Sequence, residues 1–170
     1  VVPPLTVVLD EVCQKFFDLK PLTVSVGTRT GLKILYDSPR DVGTDRIVDA
    51  VAAIELYGTP AIIVDMGTAT VFDGVTRDGE YLGGAIAPGI SLAAESLFLN
   101  TSQLRRVELQ APITAIGRNT TAALQSGLVL GYVGLVTFMV ERFKNELGQD
   151  AKVIGTGGLI SVVAKETSVF

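Results

Sequence analysis

The run Ile62-Ile63-Val64-Asp65-Met66-Gly67-Thr68-Ala69-Thr70-Val71-Phe72-Asp73 constrains the fold of this chain more than any other stretch. An apolar strand ends on a carboxylate, turns through a glycine next to hydroxyl side chains, and a second β-branched strand leads away. Gly67 lets a ligand approach the backbone closely, because a side chain there would block it. The amides of the turn and the hydroxyls of Thr68 and Thr70 can donate to phosphate oxygens, and Asp65 can hold a cation that neutralises them. The plain alternative is a hairpin whose threonines bond only their own turn. A short motif is decided by its context, which lies both upstream and downstream.

Hydrophobic residues make up 48% of the 170 residues and glycine is abundant, which suits a buried sheet covered by helices. That length holds one domain or parts of two. The chain opens on Val1-Val2-Pro3-Pro4 without an initiator Met and stops at Ser168-Val169-Phe170, so it reads as a piece of a longer protein. A net charge of −4 with no basic run argues against a nucleic-acid partner. The single cysteine, Cys13, excludes an internal disulfide and a cysteine-rich zinc site, and its apolar neighbours Leu9, Val12 and Phe16 assign it to a core. With no histidine, Ser-His and Cys-His machinery is absent, and acid–base work falls to carboxylates. The uncharged stretch Asn119 to Val140 begins with polar residues, leaving less than the ~20 apolar residues a membrane span needs. It reads as a buried helix.

Apolar spacing predicts a helix from about Thr6 to Phe17, and β-branched residues predict a strand over Leu22–Val26. After a Gly-, Pro- and Asp-rich loop with an extended piece at Leu32–Tyr36, the shared face of Ile47, Ala50, Val51 and Ile54 predicts a helix ending near Gly58. Strands follow at Ala61–Val64, Thr70–Val75 and Tyr81–Ala87, then a helix over Ser91–Phe98 and a long one from about Asn119 to Leu147. Lys152–Gly155 reads as a last strand, turned by Thr156-Gly157-Gly158 into another helix. Three antiparallel strands, a helix, then helix–strand–helix is half of a ribonuclease-H-like α/β domain, a mixed sheet flanked by helices. No repeat of 20–50 residues stands out.

Gly43-Thr44-Asp45-Arg46 opens a helix, whose positive end favours a carboxylate there. Arg46 offers a fork of donors for a carboxylate or phosphate. Plain capping by Asp45 with a solvated Arg46 explains the same residues. Arg118-Asn119-Thr120-Thr121 is a similar element, where Thr120 either holds a polar substrate group or belongs to a cap. Gly155-Thr156-Gly157-Gly158 lets bare backbone lie against a nucleotide, though such turns occur without ligands. Gly127, Gly131 and Gly134 share one face of the long helix, each costing about 1 kcal/mol relative to Ala, and point to close packing in a core or between subunits. Leu128, Leu130, Tyr132 and Val133 between them offer apolar area for a subunit contact.

In order and content, Gly43-Thr44-Asp45-Arg46, Asp65-Met66-Gly67-Thr68-Ala69-Thr70, Leu82 to Gly89, Gly117-Arg118-Asn119-Thr120 and Thr156-Gly157-Gly158-Leu159 closely resemble the type III pantothenate kinases. The resemblance covers essentially the whole chain. It implies an actin-like ATPase built from duplicated ribonuclease-H-like domains: residues 1–58 would end the first, and 59–170 would form most of the second without its last helix. It also implies ATP-dependent phosphorylation of pantothenate to 4'-phosphopantothenate, the first step of coenzyme A synthesis, by a cytoplasmic homodimer.

By the same resemblance Asp45 is the catalytic base. Tyr36, Gly43, Thr44, Asp45, Arg46 and Thr120 fall on pantothenate-binding positions, and Gly67, Thr68, Thr70, Gly157 and Gly158 on the ATP side. Asp65 falls on the ligand for a monovalent cation, K⁺ or NH₄⁺, and Mg²⁺ accompanies ATP. Two departures matter. Thr44 replaces the usual alanine, and the family's first phosphate loop, an Asp-x-Gly-Asn-Thr run, does not occur in the sequence. The expectation is therefore a chain inactive by itself. The competing expectation is a non-catalytic regulator of the same fold that binds nucleotide or pantothenate, against which Asp45 and Asp65 count.

Overall fold

The computed structural model describes residues 3–25 and 27–170. Five strands form one mixed sheet: β1 (Lys33–Ile34), β2 (Ala61–Met66), β3 (Ala69–Val75), β4 (Glu80–Pro88) and β5 (Lys152–Thr156), in the order β1-β4-β3-β2-β5. β2, β3 and β4 form the expected antiparallel meander, while β5 lies parallel to β2 and β1 parallel to β4. The helices are α1 (Pro3–Phe17), α2 (Thr44–Tyr57), α3 (Ile90–Leu99), α4 (Thr120–Gln125), α5 (Gly131–Leu147) and α6 (Ile160–Ala164).

The sheet is the middle of three layers because β2 is apolar on both faces, as a central strand must be. Ile62, Val64 and Met66 join Phe72, Ile90, Val129, Val136 and Val140 in one core, beneath α3, α5 and α6. Ala61 and Ile63 point the other way and pack with Val75, Tyr81, Ile47, Ala50 and Ala53, the inner face of α2. Gly58, at φ 82°, ends α2 by donating its N–H to the Ile54 carbonyl, 2.9 Å away.

Several expectations are corrected. Leu22 to Ser25 form no strand, since β propensity without a partner to pair with makes none; Val26 lies outside the described residues. Cys13 is half-buried and belongs to neither core, because α1 leaves Leu5, Val8, Leu9 and Phe16 at least half exposed. The long helix is interrupted by a π-helical segment, Ser126–Leu130, between α4 and α5. It is not buried all round: Leu128, Val129, Val136 and Val140 face the sheet, while a Cβ placed on Gly127, Gly131 or Gly134 would meet nothing within 4 Å. The glycine face is open, so packing on its own sheet does not explain it. Leu128 is already in the core, and Tyr132 and Val133 pack against that core, so these three side chains are engaged within the chain. By length and composition alone Thr120–Leu147 is apolar enough to cross a membrane.

Candidate functional site

Strand alternation decides what shares a face with Asp65. In the antiparallel ladder Asp65 pairs with Val71, and Val71 with Ile86; Ile63 pairs with Asp73, and Asp73 with Gly84. These residues lie on the α2 side of the sheet. α2 begins just there, with Gly43 at its N-cap and no side-chain cap, so Asp45 does not cap the helix. Its Oδ1 instead accepts the N–H of Arg46 at 3.0 Å. The two motifs therefore meet. Asp45, Asp65, Gly67 and Thr68 line one cleft of about 510 Å³ together with the apolar Val71, Ile86, Pro88 and Leu92.

Bare backbone makes room for both carboxylates. A Cβ on Gly43 would lie 2.4 Å from Asp45 Oδ1, and one on Gly157 would lie 2.4 Å from Asp65 Oδ1 and 2.6 Å from the Met66 carbonyl oxygen. The Thr156-Gly157-Gly158 turn is held there by the Leu159 N–H, which donates to the Met66 carbonyl at 3.1 Å. Burial pushes the Asp65 carboxyl above the usual range, and the charges of Asp45 and then Asp73 add to this. Among the described residues, none of the salt bridges includes Asp45, Asp49 or Asp65. An uncompensated carboxylate beside a carbonyl oxygen is an oxygen-only donor set of the kind that suits a hard cation. No group of three or more His, Cys, Asp or Glu residues is gathered as a metal cluster among the described residues.

Arg46 is neither solvated nor fully available to a ligand. Its Nε and Nη2 donate to Asp73 Oδ1 at 3.0 and 2.6 Å, and the Tyr81 hydroxyl donates to the same oxygen at 2.7 Å. Arg46 is 9% exposed and Asp73 2%. Burial lowers the Arg46 pKa, but the hydrogen bonds and charge of Asp73 more than offset it and hold the guanidinium charged. The Tyr36 ring lies 5.9 Å from the guanidinium carbon, which brings that expected substrate residue beside Arg46.

Other expected residues lie elsewhere. Thr70 pairs with Met66, on the face opposite Asp65, and is fully buried with a hydroxyl that has no hydrogen-bond partner among the described residues, so it is not in the cleft. Gly158 has open space around its Cα and does not line the cleft, whereas Gly157 abuts Asp65. Thr44 is half-buried in the first turn of α2. Thr120 opens α4 and lines a separate cavity of about 410 Å³ with Gln103, Arg105 and Asn119. Asn119 supplies the cap there, accepting the Ala122 N–H at 2.9 Å.

Asp49, Asp73 and Tyr81 were missed. Asp49 lies one helical turn after Asp45, a spacing visible in the sequence. Burial, with the charges of Asp65, Asp73 and Asp45, pushes its pKa up to about 6 from 3.8. A folded-state pKa above the unfolded one means that this group's contribution to stability is present below pH 3.8 and is lost as pH rises through about 6. Asp49→Asn is therefore expected to raise the melting temperature at pH 7.5 and to leave it unchanged near pH 3.5. After discounting for solvent screening the gain is on the order of 1 kcal/mol, or about 2–4 °C. Thermal melts at the two pH values check this, and an equal shift at both would contradict it.

A family model described as type III pantothenate kinase matches residues 1–142. Among solved structures, a Campylobacter jejuni protein described as a Baf family transcriptional activator is similar, with a TM-score of 0.56 and 23% identity over 81% of this chain and 59% of that one. At that identity the likeness concerns the fold alone. The chain spans about three fifths of that protein's length.

Proposed function

The chain belongs to the type III pantothenate kinase family, and from that premise we propose that it transfers the γ-phosphoryl group of ATP to pantothenate, giving 4'-phosphopantothenate for coenzyme A synthesis. The observation that carries the reading is the single cleft in which Asp45 meets Asp65 and the Gly67-Thr68 turn. Asp45 takes the proton of pantothenate's primary hydroxyl, its oxygen attacks the γ-phosphorus, and ADP leaves. Phosphoryl transfer asks mainly for positioning and charge neutralisation. The turn amides and the Thr68 hydroxyl hold phosphate oxygens, while Gly157 lies beside Asp65. Asp65 would hold a monovalent cation facing the phosphates, and Mg²⁺ would arrive with ATP; both supply positive charge against the triphosphate.

In this reading the sheet is ribonuclease-H-like, residues 1–58 end one such unit and 59–170 form most of a second, with α2 docked on the second unit's sheet. Thr120, placed away from the cleft, belongs to a pocket that the partner subunit of a cytoplasmic homodimer helps to wall. Pantothenate-dependent release of ADP by the protein made from its complete reading frame tests the activity; binding of ATP or pantothenate without turnover would make it a regulator instead.

Two expected outcomes follow from the site. Activity should rise when K⁺ replaces a bulky organic cation, and Asp65→Asn should blunt that response, because a carboxylate facing phosphates needs a cation between them. Equal activity in both salts would count against Asp65 as cation ligand. Gly131→Leu should yield a folded monomer with weakened pantothenate binding, because its side chain enters space that is open in the single chain and would meet the partner on the glycine face. Light scattering that still reports a dimer would place the subunit contact elsewhere.

A further inference from the structure

We propose that Asp73 and Tyr81 are positioning residues that hold Asp45 over the cleft by clamping Arg46, an inference that rests on the kinase reading above. The later turns of α2 are anchored by Ile47, Ala50 and Ala53 in the core. Thr44 and Asp45 themselves are not buried and lie between two apolar anchors, Val42 and Ile47. Within that interval the polar tie to the sheet is Arg46, the next residue along. Asp73 takes two nitrogens of its guanidinium at 3.0 and 2.6 Å, and the Tyr81 ring lies 5.7 Å from its central carbon. Tyr81 completes the clamp by donating its hydroxyl to the same carboxylate oxygen at 2.7 Å, so one oxygen collects three donors.

The anchor at the other end is rigid. Asp73 sits in β3, paired on one side with Ile63 of β2 and on the other with Gly84 of β4. Arg46, Asp73 and Tyr81 are each 9% exposed or less, so water does not compete for these bonds. A planar guanidinium bound through two nitrogens fixes direction as well as distance, which a single ammonium cannot do. Asp73 and Tyr81 do not line the cleft and need not touch substrate. Their effect passes through Arg46 to Asp45, where a misplacement of about 1 Å can cost on the order of 10² in rate.

Tyr81→Phe tests this, since it removes the hydroxyl and keeps the ring. The protein from its complete reading frame is assayed for pantothenate phosphorylation, and hydrogen exchange is followed at the amides of the first turn of α2. The expected result is a kcat lowered about tenfold or more, KM for ATP little changed, an unshifted pH–rate midpoint because the base is the same, and faster exchange confined to that turn. Arg46→Lys, which keeps the charge but loses the two-nitrogen grip, should lower kcat likewise. An unchanged kcat in Tyr81→Phe alongside a lower melting temperature would overturn the proposal, leaving the cluster with a structural role only. Unchanged exchange at the first turn would overturn the clamp whatever the activity. If the unaltered protein phosphorylates no pantothenate, the kinase reading fails, and the catalytic purpose assigned to the clamp fails with it.

Discussion

Asp45→Asn is expected to lower turnover by ~10²–10⁴-fold, the range typical for loss of a general base, while pantothenate binding is largely kept. The substitution is nearly isosteric, and the amide oxygen can still accept the Arg46 N–H that Asp45 Oδ1 accepts at 3.0 Å. Gly43 leaves the same space beside it, since a Cβ there would come within 2.4 Å of the side chain. What the amide cannot do is take the proton of the acceptor hydroxyl. The loss should fall on kcat with little change in calorimetric affinity, as for an interaction made only in the transition state. A kcat within about threefold of the unaltered protein would remove Asp45 as base.

Asp73→Ala should have the largest effect on stability. It leaves the Arg46 guanidinium buried at 9% exposure without its carboxylate, and breaking such a pair from one side costs about 3–5 kcal/mol. For a chain of this size that corresponds to a fall in melting temperature of roughly 6–20 °C. The Arg77–Asp150 pair is the control. Its Nη2–Oδ2 distance of 2.8 Å is comparable, but its side chains are 65% and 61% exposed. Asp150→Ala should cost about 0–1 kcal/mol, because water and salt screen an exposed pair. Similar losses in the two variants would mean that the Arg46 pair is not buried in the way described.

The meander was legible because its signals are local: alternation, the turn glycines and a carboxylate ending an apolar run give β2, β3 and β4 to within two residues. α2 was legible for the same reason, from the spacing of Ile47 and Ala50 to its glycine stop. What failed needed partners distant in the chain. The β-branched Leu22–Ser25 has the composition of a strand but nothing to pair with. Thr70 was grouped with Thr68 by proximity, yet the turn at Gly67 resets the alternation, and only pairing with Met66 shows which face it takes.

Arg46 offered two readings, solvated or ligand-binding, and the structure supplies a third. The partner that decides it, Asp73, lies on another element and becomes a neighbour only when β3 packs beneath α2. One signal was available: a carboxylate in the middle of an apolar strand, on a face that must be buried, requires a counter-charge. The meeting of Asp45 with Asp65 was implied by family resemblance alone, and the geometry now gives it a physical basis in one shared cleft.

The most direct test of this account is mass-spectrometric detection of product after incubating the protein, made from its complete reading frame, with ATP, Mg²⁺, K⁺ and pantothenate. The account predicts 4'-phosphopantothenate formed one for one with ADP, both dependent on pantothenate and both formed ~10²–10⁴-fold more slowly in Asp45→Asn. ADP without phosphopantothenate, or binding of both substrates with no product, would contradict it.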